Sequence, residues 1–93
     1  MSKLNQELAK VIKEFRVKKG LTQLELSEKL GYETPQFISI MERGLAKIPL
    51  NVIGQLVVIL EVPEKKITRL LIEAYKEEVL SQLHQGKSLA KNG

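Results

Sequence analysis

Gly20-Leu-Thr-Gln-Leu-Glu-Leu-Ser-Glu-Lys-Leu-Gly31 and, after a short gap, Pro35-Gln-Phe-Ile-Ser-Ile-Met-Glu-Arg-Gly44 spell two short helices joined by a tight turn. Thr22 and Glu25 stand in the T-x-x-E pattern of a capping box, in which each side chain bonds a backbone N–H that the first turn leaves unpaired. The first of these helices is therefore predicted to start at Thr22. Leu26 and Leu30 share one face at i, i+4 spacing, Ser27 is small enough to let another helix come close, and Gly31 offers the permissive backbone that ends a helix. Thr34 is the expected N-cap of the second helix, with Pro35 at the first helical position, where a missing N–H costs nothing. Gly44 ends it. Ile38 and Met41, three apart, form its expected core-facing pair, which leaves Gln36, Ser39, Ile40 and Arg43 toward the outer side.

Two helices at this spacing make a helix-turn-helix, whose second helix can enter the DNA major groove while the first lies across it against the phosphate backbone. The chain resembles the lambda-repressor-like, or Xre/Cro, family of small DNA-binding regulators. The resemblance covers roughly residues 8–71 and rests on Arg16, Gly20-Leu-Thr-Gln23, Leu26, Leu30-Gly31, Ile38-Ser39, Glu42-Arg-Gly44 and Leu56-Val-Val-Ile-Leu-Glu-Val62. It implies an all-α, five-helix domain with the helix-turn-helix in helices 2 and 3, acting as a sequence-specific transcriptional regulator, a repressor, on double-stranded DNA. Carried over by position, it implies that Gln23 contacts the DNA backbone and that Gln36 reads a base; Gln can pair with adenine through both its amide groups. Ser39 and Ile40 match groove-facing positions, and Arg43 and Lys47 match phosphate-contacting ones. Thr22 and Thr34, at the two helix starts, complete the candidate contacts together with Phe37. Arg16 and Glu42 match a structural ion pair that ties helix 1 to the recognition helix.

Two features depart from the family pattern. Tyr32 and Glu33 stand between Gly31 and Thr34, one residue more than the commonest turn, so a tilted or shifted recognition helix is expected. That helix is also apolar, with Pro35, Phe37 and Ile40 where many relatives carry polar residues. Ile40 can touch a thymine methyl, and Phe37 has two expected places, packed against helix 2 and the long turn or facing DNA.

The 93 residues, 43% of them hydrophobic, suffice for one small domain. The net charge of +4 is concentrated in the first half, where nine Lys/Arg face six Asp/Glu, against six and five in residues 51–93. Such a charge favours polyanions only mildly. The absence of cysteine excludes disulfides and thiolate metal sites and fits a cytoplasmic protein. Neither a signal peptide nor a membrane span is expected.

Leu4, Leu8, Val11, Ile12 and Phe15 mark an amphipathic helix 1 that ends near Lys18, Lys19 and Gly20. The run from Leu50 to Leu60 is β-branched enough for a strand on propensity alone, but the family resemblance and the all-helical context favour helix 4, broad enough in apolar surface to be buried on more than one side. Helix 5 is expected from Pro63 as a long C-terminal helix, with Ile67, Leu70, Leu71, Ala74, Tyr75, Val79, Leu80 and Leu83 in a stripe reaching His84. Gly86 should end it. The domain is thus expected over residues 1–85, with residues 86–93 a disordered tail.

His84 is alone, and no arrangement of His or paired carboxylates suggests catalysis, a metal site or a cofactor. Two readings of different class stand: a DNA-binding regulator, and a protein-interaction module such as the antitoxin of a toxin and antitoxin pair that holds its partner with the long helix. The first implies a homodimer on a pseudo-palindromic operator, with its interface expected at Val58, Ile59, Leu71, Tyr75, Val79 and Leu83. In the competing arrangement helix 5 bends back over helix 4 of its own chain.

Overall fold

Five helices follow one another in the computed structural model, which describes residues 3–92: α1 (Lys3–Lys18), α2 (Gln23–Lys29), α3 (Gln36–Glu42), α4 (Leu50–Leu60) and α5 (Glu64–Asn92). No strand occurs among the described residues. Met1, Ser2 and Gly93 lie outside them, and with these residues the ends of both expected segments. No helix among the described residues is long and apolar enough to cross a membrane.

Local chemistry accounts for the helix ends. The Thr22 hydroxyl accepts the Glu25 N–H at 3.0 Å, and the Glu25 carboxylate accepts the Thr22 N–H at 2.9 Å, completing the capping box. Hydrogen bonding to the carboxyl, first from the Thr22 backbone N–H and then from the Thr22 side chain, holds Glu25 below its ordinary range. A group whose pKa is depressed on folding stabilises the fold above its unfolded value, and that contribution disappears as the pH falls through the folded one. Thr22→Ala is expected to cost about 1 kcal/mol at neutral pH. In thermal melts from pH 7 to pH 3, Glu25→Gln should flatten the acid limb, because its amide accepts the same bond without titrating.

Gly20, Gly31 and Gly44 take positive φ, of 71°, 89° and 70°. Gly44 is doubly required, since a Cβ there would stand 3.3 Å from the Gln6 backbone of α1. The second helix starts one residue later than its sequence suggests. Pro35, not Thr34, holds the cap position, and no side chain caps α3. The reason is that Thr34 is engaged elsewhere, its carbonyl accepting the Ser27 hydroxyl at 2.5 Å.

The core gathers Leu8, Val11 and Ile12 of α1 with Leu26 of α2, Ile38 and Met41 of α3, and Val52, Ile53, Leu56 and Leu60 of α4. Ile38 and Met41 are fully buried, as their spacing predicts. Helix α4 buries one side only. Leu50 and Val58 remain open to solvent at 72% and 76% exposure, so the expected two-sided burial is absent within one chain.

Helix α5 departs most from expectation. Ile67, Leu70 and Ala74, on one face, pack it against α1, and the helix then continues unbroken through Gly86 to Asn92, where a stop and a disordered tail were expected. Gly86 does not take the positive φ of the three turn glycines, so it carries only the modest helix penalty of a glycine. Neither does α5 bend back over α4. Its 29 residues span about 43 Å, and the radius of gyration is 16.2 Å, against about 12 Å for a compact chain of this length. From Leu80 to Asn92 every residue is exposed.

Candidate nucleic-acid interface

The two helices of the motif are fixed by one polar knot. Arg16, near the end of α1, donates from Nε to Glu42 Oε2 at 2.6 Å, from Nη2 to Glu42 Oε1 at 3.0 Å and from Nη1 to the Leu21 carbonyl at 2.7 Å. Gln23, at the start of α2, donates from Nε2 to Glu42 Oε1 at 3.1 Å. One carboxylate at the end of α3 therefore holds α1 and α2, while Arg16 also secures the α1–α2 loop. The side chains of Arg16 and Glu42 are only 12% and 4% exposed. The fork of the guanidinium and the shielding from water make this a strong, directional contact.

Gln23 is consequently not free in the way expected of a phosphate contact. Because a carboxylate only accepts, the amide nitrogen faces Glu42, and its second N–H is what remains for DNA. Of the other candidates, Thr22, Thr34, Gln36, Arg43 and Lys47 are exposed, and Ser39 and Ile40 are half-buried. The Thr22 hydroxyl oxygen is engaged in the capping box. Arg43 and Lys47 form no salt bridge among the described residues. Phe37 is half-buried and meets Tyr32 edge to face, with ring centroids 4.8 Å apart. It therefore packs against the long turn, as one of its two expected places requires.

Sequence reasoning gave the long turn a contact with Phe37 but none with Ser27. The turn is in fact pinned at two points by the fully buried Ser27, whose carbonyl accepts the Tyr32 N–H at 3.0 Å and whose hydroxyl bonds Thr34. Beside α3 the turn forms a wall, and a groove of about 530 Å³ runs between it and Gln36, Phe37 and Ile40. A serine at a helix-packing position was the available signal.

The expected interface residues fall into separate groups. Leu71 and Tyr75 join Leu4, Ile48, Leu50 and Ile53 in an apolar groove of about 770 Å³ between α1, α4, the loop before α4, and α5; Val58 and Ile59 do not line it. Leu71 and Ile59 also pack on the chain's own core. Val79, half-buried, and Leu83, 58% exposed, follow one and two turns beyond Tyr75. Ile72, which sequence reasoning passed over, is 64% exposed and shares their face.

The helix-turn-helix family model matches residues 12–67, well over half of the chain. The chain therefore belongs to the helix-turn-helix family of lambda-repressor-like proteins, DNA-binding transcriptional regulators rather than enzymes. Among solved structures it is similar to the wild-type restriction-modification controller protein C.Esp1396I, at 29% identity over 78% of this chain and 92% of that one, with a TM-score of 0.64. The tetramer of that controller in complex with its natural 35 base-pair operator matches at 29% identity over 78% and 95%, with a TM-score of 0.63. The clp gene regulator ClgR from Corynebacterium glutamicum shares the fold, at 24% identity over 94% and 88% and a TM-score of 0.63. No curated protein sequence matches the chain significantly.

Proposed function

We propose that this regulator is a sequence-specific repressor that reads the major groove of double-stranded DNA with α3 and acts as a homodimer on a pseudo-palindromic operator in the cytoplasm. The observation that carries the reading is the mounting of α3. Ile38 and Met41 lock its inner side and the Arg16–Glu42–Gln23 knot fixes its end, while Gln36, Ser39, Ile40 and Arg43 remain at least partly open to solvent. A side chain held on a rigid element keeps its register against base edges. Gln36, Ser39 and Ile40 are the candidate base contacts, and Arg43, Lys47, Thr22, Thr34 and the second N–H of Gln23 the candidate phosphate contacts. Phe37 contributes through Tyr32 to the shape of the surface.

Arg43→Ala and Lys47→Ala should each weaken binding to every duplex and reduce the slope of log affinity against log salt by about one. Gln36→Ala should relax preference at one base pair by about 1 to 3 kcal/mol. Binding to operator and random duplexes across a salt series separates the two behaviours. Absence of salt-dependent duplex binding by the wild type would end this reading.

One α3 reaches only a few base pairs, whereas a two-fold dimer reads two half-sites roughly 34 to 36 Å apart. The apolar face Ile72, Tyr75, Val79 and Leu83 of α5, continuous with the groove at Leu71, supports a self-complementary interface there. The assembly of C.Esp1396I as a tetramer on its operator is in keeping with this. The same exposed face also suits a different protein, as in an antitoxin, and the oligomeric state of the purified chain distinguishes the two.

A further inference from the structure

We infer that Glu33, on the long turn before α3, is a specificity-determining residue that selects cytosine at a base pair beside the one read by Gln36. The inference rests on the reading that α3 lies in the major groove. Glu33 is exposed and forms no salt bridge among the described residues. It shares one groove with Gln36 and Ile40, two of the candidate base contacts.

Its backbone is not free to swing aside. Ser27 holds the residues on both sides of it, through the Tyr32 N–H and the Thr34 carbonyl, and the Tyr32 ring is braced on Phe37 of α3 itself. The carboxylate is therefore carried into DNA with the recognition helix.

A carboxylate brought to a polyanion is repelled by phosphates and is favourable only opposite a hydrogen-bond donor. In the major groove cytosine presents the N4 amino group as its donor, guanine and thymine present acceptors, and adenine sets its N6 donor beside the N7 acceptor. Glu33 thus rewards cytosine and opposes guanine and thymine. Its charge also lowers affinity for duplexes that place no donor there. The extra turn residue, which no capping or core role requires, becomes an element of readout.

The test is selection of bound duplexes from a random pool with the full chain, followed by competition titrations, for the wild type, Glu33→Ala and Glu33→Gln. The wild type should select cytosine next to the position that loses its preference in Gln36→Ala. Glu33→Ala should reduce that preference at least about fivefold, the lower end for a good base contact, and bind other duplexes more tightly. Glu33→Gln, which can donate as well as accept, should admit guanine or thymine. An unchanged consensus in both variants, with binding tightened equally for all sequences, overturns the inference, as does a wild-type consensus without cytosine there. If the wild type enriches no sequence, the major-groove reading itself has failed, which is a distinguishable result. Matching circular dichroism melts establish that the variants fold.

Discussion

Arg16→Met should lower the melting temperature by about 12 °C or more. Removing one member of a shielded, hydrogen-bonded ion pair leaves the other charge buried without a partner, at a cost of about 3 to 5 kcal/mol. In a domain of this size each kcal/mol shifts the melting temperature by about 4 to 8 °C. The side chains of Arg16 and Glu42 are 12% and 4% exposed, so the buried regime applies. The substitution also leaves the Leu21 carbonyl without its guanidinium donor and the Glu42 carboxylate with only the Gln23 amide donating to it. Lys10→Met is the matched control: its pair with Glu7 spans 4.0 Å with side chains 77% and 41% exposed, where such contacts are worth under about 1 kcal/mol. The double variant Arg16→Met/Glu42→Leu should recover part of the loss, because it removes both charges. Equal small shifts for Arg16→Met and Lys10→Met would show that the knot does not hold the motif.

A charge on the free face of α5 should abolish operator binding without unfolding the domain. Tyr75→Glu or Val79→Glu puts a carboxylate at the centre of the proposed two-fold interface, where symmetry brings two copies of it together. In the monomer Tyr75 is 69% exposed, so Tyr75→Glu should melt close to the wild type. Sedimentation equilibrium should find the wild type as a dimer at micromolar concentration and the variant near 10.5 kDa. Losing one half-site removes half of the base contacts, and affinity should fall by about three orders of magnitude toward the non-specific level. A wild type that is monomeric both alone and on DNA would rule out the dimer. If such a monomer instead co-purified with an unrelated chain from which Tyr75→Glu freed it, the face would be assigned to that partner.

The element borders were legible because their signals are local. The Thr22–Glu25 box, the glycines at 20, 31 and 44, and the i, i+3 pair Ile38 and Met41 each act within one or two turns of helix, and each stands where its chemistry predicts. Gly86 shows the limit of such reading. A glycine ends a helix when the chain leaves it in the left-handed conformation with the last carbonyls satisfied, and the one-letter pattern does not distinguish that case from a tolerated helical glycine. The expectation of a disordered tail rested on this residue and on the small, polar composition of residues 87–93.

By itself, the sequence determined helices 1 and 5, the helix-turn-helix and its core face, whereas helix 4, whose run alone also permits a strand, needed the family resemblance. The Arg16–Glu42 pair came from family resemblance and is present in the structure. Tertiary packing alone decided how the candidate contacts are used. It gave one Gln23 N–H to Glu42, drew Thr34 away from its cap through Ser27, set Phe37 against Tyr32 and left the far half of α5 without cover in a single chain. The physical reason is range. A cap or a periodic stripe is settled between neighbours along the chain, whereas a polar side chain takes whichever donor or acceptor the fold brings within about 3 Å, and that partner can lie anywhere in the sequence.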